Sequence, residues 1–258
     1  PSLRAFLNTA VPRSVKRATH VLADSLATKN DLIELFDTPA EKITVLYSGV
    51  EARFAPVRDQ AEIERVCAKY QLPRPFILSV GTLQPRKNYG RLIQAFAEFI
   101  KHSERSDEAA QSKHKVEYSD SHPSTPLRAA QDAWHLVITG GKGWLYESIF
   151  EQVKSLGLEQ RVHFPGFVDD ADLPALYSAA NVFAYVSLYE GFGLPLLEAM
   201  ACGTPVIASN VSSLPEVVGE VGLQVDPRDV AAITRALRAM IDQSELRATT
   251  IAAGLERA

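Results

Sequence analysis

Apolar positions along this chain follow two alternating patterns. Short, nearly unbroken apolar runs recur at Phe76-Ile77-Leu78-Ser79-Val80, His135-Leu136-Val137-Ile138-Thr139, Asn181-Val182-Phe183-Ala184-Tyr185 and Val206-Ile207-Ala208. Runs without polar alternation predict strands covered on both faces. Between them apolar residues repeat with helical period: Leu92, Ile93, Phe96, Phe99 and Ile100; then Leu145, Ile149, Phe150, Val153 and Leu156; then Ile233, Leu237, Met240 and Ile241. Arg161–Phe164 and Gly222–Val225 predict two shorter strands, and Ile63–Tyr70 a short amphipathic helix. Strand and helix in regular alternation predict an α/β fold with a doubly wound parallel sheet and a ligand crevice at the strand C-termini.

The first part of the chain reads differently. A basic helix over residues 1–19 (Arg4, Arg13, Lys16, Arg17) leads to a buried strand at His20–Ala23, a helix over Thr28–Phe36 and a strand at Ile43–Leu46, a β-α-β unit. The basic face is expected to be solvated rather than laid on a membrane. Pro56–Gln60 reads as a linker. Residues 103–131, rich in Ser, Asp, Glu, Lys and His, read as a polar, solvent-exposed insertion with no assigned chemistry.

The stretch around which the rest is organised is Glu190-Gly191-Phe192-Gly193-Leu194-Pro195-Leu196-Leu197-Glu198, continuing to Gly203-Thr204-Pro205. It predicts a loop turning into a helix. Pro195 suits a first helical turn, Gly203 the position past the end, and Pro205 lies beyond. Gly193 lets the backbone approach a ligand, and free N–H groups near Gly193 and Leu194 would favour an anion. Carboxylates beside such a site make sense if the ligand also carries hydroxyls, since a carboxylate accepts from two O–H groups. A phosphate flanked by diols describes a sugar nucleotide; the plainer alternative is that Glu190 and Glu198 only favour the positive helix end.

Further candidates lie elsewhere. Gly81-Thr82-Leu83-Gln84-Pro85-Arg86-Lys87-Asn88 follows a buried strand, so Arg86 and Lys87 are either a diphosphate clamp or solvated charges. Lys142, in the Gly140–Gly143 cluster, could touch phosphate or only face solvent. That cluster is not GxGxxG and no acidic residue ends the next strand, which argues against a dinucleotide oxidoreductase. Pro165-Gly166-Phe167-Val168 can present backbone groups to a flat base edge. Asp169, Asp170 and Asp172 precede a helix and are expected to cap it rather than bind metal. Leu214-Pro215-Glu216 after Ser212-Ser213 reads as a capped helix start. Cys67 and Cys202 are expected to be buried and unbridged. A net charge of −4 gives no nucleic-acid footprint, and no apolar run is long enough to span a membrane. A cytoplasmic setting, with or without peripheral contact to the inner face of the membrane, is the expectation.

Taken in order, Val80-Gly81-Thr82, Pro85-Arg86-Lys87-Asn88, Gly140-Gly141-Lys142-Gly143, Phe164-Pro165-Gly166-Phe167 and Glu190-Gly191-Phe192-Gly193-Leu194-Pro195 through Glu198 to Val206 resemble the retaining glycosyltransferases of family 4, from about Lys42 to Gly254. The resemblance implies a GT-B fold, of which residues 56–258 would be the Rossmann-like C-terminal, donor-binding domain. Residues 1–55 would be a remnant of the N-terminal acceptor domain, the rest of which has no match, so the chain is expected to be a truncated or split piece. It further implies that Arg86 and Lys87 hold the donor diphosphate, with no metal or other cofactor, and that Gly81, Thr82, Phe192, Gly193, Leu194 and Pro195 line the donor. Glu190 would contact the transferred sugar, Glu198 the ribose, and Phe167 and Val168 the nucleobase. Implied partners are a nucleoside-diphosphate sugar and a carbohydrate or lipid-linked acceptor. The expected activity is retaining hexosyl, by likeness mannosyl, transfer; a non-catalytic nucleotide-sugar binding subunit and a sugar-nucleotide epimerase are the alternatives.

Overall fold

The computed structural model describes residues 3–113 and 134–258. Two parallel sheets are found among them. The small one pairs β1 (Val21–Ala23) with β2 (Ile43–Val45), and α1 (Leu3–Arg17) and α2 (Leu26–Phe36) accompany it. The large one contains β3 (Phe76–Val80), β4 (His135–Thr139), β5 (Val162–Gly166), β6 (Val182–Tyr185), β7 (Val206–Ser209) and β8 (Leu223–Val225). Its spatial order is β5-β4-β3-β6-β7-β8, and every neighbouring pair runs parallel. Chain order therefore reverses between β3 and β6, the place where open sheets of this kind bind ligands beyond the C-terminal strand ends.

Helices cover both faces, as the unbroken apolar strands predict. On one side Phe76, Leu78, Phe183, Tyr185, Val206 and Ala208 face α3 (Gln60–Lys69), α6 (Leu173–Ala179), α7 (Leu194–Ala201) and α8 (Leu214–Val218). On the other, Ile77, Leu136, Ile138, Val182, Ala184 and Ile207 face α4 (Tyr89–Lys113), α5 (Glu147–Ser155) and α9 (Val230–Asp242). The alternation along each strand follows from the period of two. A last helix, α10 (Ser244–Arg257), packs on α7 and α9; its weakly patterned sequence gives little apolar signal, and sequence reading stops at α9. Cys67 and Cys202 are buried and free.

Several expectations are corrected. The strand at His20–Ala23 is not buried: Leu22 is 65% exposed, because the two-stranded sheet is not covered on both faces. In the same unit α2 has no buried residue, and Leu35 and Leu46 are also exposed. Leu145 does not face inward but stands outside α5, exposed, with φ 55°. The polar segment expected over 103–131 begins inside α4, which runs to Lys113; the remainder, 114–131, lies outside the described residues. No described helix is long and apolar enough to cross a membrane.

At the N-terminal strand ends, His135 Nδ1 and His163 Nε2 lie 2.9 Å apart. Burial, and then the neighbouring His163, pull His135 down to about 4; burial also lowers His163. Unfolding restores the ordinary value near 6.5, so between about 4 and 6.5 the unfolded chain binds more protons than the folded one. Stability is expected to be complete above that window and to fall as pH drops through it. Urea unfolding at pH 7.5 and 5 should show this loss, and His135→Phe/His163→Phe should diminish it.

Candidate functional site

The β3–β6 reversal is spanned by loops sewn together by backbone contacts. After β3 the chain passes Gly81, whose φ is 149°. A Cβ there would lie 3.0 Å from Lys87 Cε and 3.2 Å from its Nζ, so glycine leaves the room that Lys87 fills. Beneath it a Cβ on Gly140 would come within 2.3 Å of the Gly81 carbonyl oxygen, a clash of backbone that cannot relax cheaply. The Leu83 amide donates to the Gly141 carbonyl at 2.9 Å and the Gly143 amide to the Leu83 carbonyl at 3.0 Å, extending the β3–β4 ladder beyond the strands. Pro85–Lys87 then forms a 3-10 turn closed by Asn88 at φ 61°. The Asn88 amide group reaches the Val186 and Pro227 carbonyls, and the Leu188 amide donates to the Arg86 carbonyl at 2.8 Å.

These contacts carry Arg86 and Lys87 to Glu190. Lys87 Nζ lies 2.7 Å from Glu190 Oε1, and the Arg86 guanidinium meets Oε2 and the Tyr189 carbonyl. The Lys87 and Glu190 side chains are only 8% and 7% exposed, whereas Arg86 is 40% exposed and opens to solvent. Burial works against the Glu190 charge, but Lys87 and Arg86 overcome it and hold its pKa below the ordinary carboxylate value. For Lys87, burial outweighs the pull of Glu190 and lowers the ammonium pKa. The solvated-charge reading of the Arg86-Lys87 pair does not hold for Lys87.

The Glu190 loop is clamped from below. The Glu190 amide donates to Ser212 Oγ at 3.0 Å, and Ser213 Oγ donates to the Glu190 and Phe192 carbonyls at 3.0 and 2.6 Å. Ser213 was expected to cap α8; it makes no cap bond there, because its hydroxyl serves this loop instead. Gly193, at φ 121°, precedes Leu194 and Pro195 in the first turn of α7, and a Cβ on it would meet Leu214 Cδ2 at 2.8 Å. In the first turn of α7 Pro195 has no amide and the Leu196 amide donates to the Gly193 carbonyl at 2.9 Å, which leaves the Leu194 amide as the one without an acceptor inside the helix. Gly203, at φ 75°, stands just past the far end of the same helix.

Other expected residues are distributed around this centre. Thr82 is exposed beside Gly81. Phe192 packs against Tyr47 of the β2–α3 connection, ring centroids 6.1 Å apart. Glu198 accepts from the fully buried Tyr177 hydroxyl at 2.7 Å, and burial raises its pKa. Phe167, 70% exposed, stands past β5, with β4 and β3 between it and β6. The Val168 side chain is buried in the core, so only its main chain is available to a base. Lys142 lies over the Tyr146 ring at 5.2 Å.

The acidic run is also corrected. Asp172 occupies the α6 cap position without a capping bond. Its carboxylate takes Arg65 at 2.5 Å, Lys69 at 2.6 Å and the Tyr70 hydroxyl at 2.8 Å. Burial opposes its charge, but these three donors hold its pKa well below the carboxylate range. Among the described residues no cluster of three His, Cys, Asp or Glu could hold a metal.

Sequence reading missed Tyr185 and Tyr89. The Tyr185 hydroxyl accepts from Lys87 Nζ at 2.6 Å, and Tyr89 donates to the Gly81 carbonyl at 2.8 Å. A tyrosine as the last residue of the strand that delivers the chain to the Glu190 loop is the signal available for Tyr185. Also missed were contacts from the first unit. Glu216 accepts from the Leu26 and Ala27 amides at 2.7 and 2.8 Å, closing the α2 N-terminus, and from the Tyr47 hydroxyl at 3.0 Å.

A doubly wound sheet of order 3-2-1-4-5-6, with charged loops at the reversal point, defines a Rossmann-like domain. Residues 123–257 match the family described as glycosyl transferases group 1, and the chain belongs to that family. It is 34% identical over 254 residues to the O-antigen chain mannosyltransferase B of Escherichia coli, covering 98% of this chain and 59% of the relative. Among solved structures it is similar to sucrose-phosphate synthase from Thermosynechococcus elongatus, with TM-score 0.75 and 28% identity over 98% of this chain and 56% of that one. Anabaena HepE, solved in complex with UDP and glucose, shares the fold at TM-score 0.76 and 24% identity, covering 98% of this chain and 62% of HepE. The chain thus spans less than two-thirds of the length of these relatives.

Removing one partner of a buried ion pair leaves the other charge uncompensated, at a cost of about 3 kcal/mol. Glu190→Ala should therefore lower unfolding stability by about 3 kcal/mol. Adding Lys87→Met should recover a part of it, as measured by a double-mutant cycle in urea.

Proposed function

We propose that this chain is the donor-binding part of a retaining glycosyltransferase that moves a hexosyl group, of the mannosyl class, from a nucleoside-diphosphate sugar to a carbohydrate or lipid-linked acceptor. The observation that carries this reading is the meeting of Arg86 and Lys87 with Glu190 at the β3–β6 reversal. The mannosyl choice is supported by the E. coli mannosyltransferase relative. Residues 56–258 form the donor domain in this reading. Residues 1–55 belong to the acceptor-side domain, which their separate two-stranded sheet supports.

The parts act as follows. Arg86 and Lys87 turn from Glu190 to the diphosphate, aided by the amides of Gly193 and Leu194 at the start of α7. Gly81 and Thr82 border the phosphates, and Phe192 and Pro195 shape the floor on which the sugar lies. Glu198 accepts from the ribose hydroxyls, and the Phe167–Val168 main chain meets the base edge. As the bond from the anomeric carbon to the phosphate oxygen breaks, negative charge grows on the diphosphate, and the two cations stabilise it. The acceptor hydroxyl bonds to the anomeric carbon on the face the diphosphate leaves, and its proton passes to the departing phosphate oxygen. Glu190, beside the sugar, orients its hydroxyls.

Calorimetric titration with GDP-, UDP- and ADP-sugars tests this. One of the three should bind. A charge-assisted hydrogen bond contributes about 1.5–3 kcal/mol, so Arg86→Ala should weaken binding about tenfold to a hundredfold. Glu198→Ala should weaken the sugar nucleotide but not inorganic pyrophosphate. A folded sample that binds none of the three contradicts the proposal.

A further inference from the structure

We propose that Tyr185 is a positioning residue of the donor site: its phenol oxygen aims Lys87 at the diphosphate and keeps Glu190 partnered when the cations leave it. The inference rests on the donor-site reading above and adds to it a residue that recognises no ligand itself.

The geometry comes first. Lys87 Nζ sits 2.6 Å from the Tyr185 hydroxyl, 2.7 Å from Glu190 Oε1 and 4.7 Å from the centroid of the Tyr185 ring. The ammonium is therefore held on one side by a carboxylate and on another by the phenol oxygen of one tyrosine. Tyr185 is itself fixed. It ends β6, is 3% exposed, and stacks on Phe183 with centroids 5.7 Å apart. Lys87 has four side-chain torsions, and a buried lysine needs such walls to present one direction. Gly81 supplies the opposite wall, with its would-be Cβ 3.0 Å from Lys87 Cε.

The second role follows from a count of partners. Glu190 now takes both cations, yet it is almost fully buried. Once Arg86 and Lys87 turn to a diphosphate, a buried carboxylate would be left short of donors, which is costly. The Tyr185 phenol oxygen and Glu190 Oε1 meet the same Lys87 Nζ, at 2.6 and 2.7 Å, so the two oxygens flank one ammonium. With Lys87 turned away, the Tyr185 O–H remains to donate to Glu190. Transfer of the cations to the ligand then does not strand the carboxylate that faces the sugar.

Charged and titratable groups around Tyr185 and Lys87 are few. Arg86 comes from the same turn, Tyr89 from α4, Tyr177 from α6, and Glu190 with the Ser187 hydroxyl from the segment after β6. Loss of the phenol oxygen removes an acceptor from the Lys87 ammonium, which favours its neutral form and moves the alkaline limb of binding to lower pH. It also removes a donor from Glu190, which favours the protonated carboxyl and moves the acid limb to higher pH.

The test is binding of GDP, UDP and ADP between pH 4.5 and 10 to the unmodified chain and to Tyr185→Phe, with thermal melting recorded for both. The proposal expects a nucleoside diphosphate to bind Tyr185→Phe at least fivefold more weakly at neutral pH. It also expects the pH range of binding to narrow from both sides. If Tyr185→Phe binds with unchanged affinity and unchanged limbs, the Tyr185 role is overturned while the donor-site reading stands. If the unmodified chain binds none of the three, the donor-site reading fails and the Tyr185 role with it. Should Tyr185→Phe not fold, 19F NMR of 3-fluorotyrosine at position 185 in the otherwise unmodified chain replaces it. Its resonance should move on saturation with the bound nucleoside diphosphate, and an unmoved resonance overturns the proposal.

Discussion

A buried ammonium facing a buried carboxylate constrains the rest of this molecule. Lys87 arrives from the loop after β3 and Glu190 from the loop after β6, so their 2.7 Å contact spans the place where the sheet reverses. Desolvating two charges is expensive and their attraction repays it only in good geometry. The structure supplies that geometry by exclusion and by backbone. Gly81 and Gly140 stand where side chains would block Lys87 or separate the loops, and the Leu188 amide ties the second loop to Arg86. Ser212 and Ser213 then fix the Glu190 loop from the β7–α8 connection. Adjacent elements are thus committed to one arrangement of two charges.

The same loop meets the first unit of the chain. Thr28 Oγ1 donates to the Gly191 carbonyl at 3.3 Å, and a Cβ on Gly191 would lie 3.0 Å from Asp24 Oδ2. Glu216 closes the α2 N-terminus, while Arg257 at the end of α10 donates to the Glu216 and Val217 carbonyls at 2.7 and 2.6 Å. A carboxylate at a helix N-terminus satisfies orphan amides and favours the dipole. The unit before α3, the Glu190 loop and the last helix therefore share one set of contacts.

Much of the six-stranded domain was legible in the sequence. Phe76–Val80 and His135–Thr139 are read to the residue, because strands covered on both faces leave unbroken apolar runs bounded by glycine. The Glu190–Gly203 unit was legible because Gly193, Pro195 and Gly203 each mark a backbone position with its own steric demand. The failures have a common cause. Asp172 and Ser213 look like caps from local spacing, but each side chain answers a distant partner: Arg65, Lys69 and Tyr70 for the first, the Glu190 loop for the second. Leu22 reads as buried because an apolar strand signal does not tell how many layers cover it. Tyr185 was hidden because one aromatic residue looks the same in a strand whether its hydroxyl is idle or holds a lysine.

A crystal structure of this chain with the nucleoside-diphosphate sugar that binds it tests the central claim most directly. The account predicts a diphosphate within hydrogen-bonding distance of Arg86, Lys87 and the Gly193–Leu194 amides, with the Lys87–Glu190 contact lengthened from 2.7 Å and Glu190 facing the sugar. A diphosphate bound elsewhere, or one bound while both cations stay on Glu190, would contradict it.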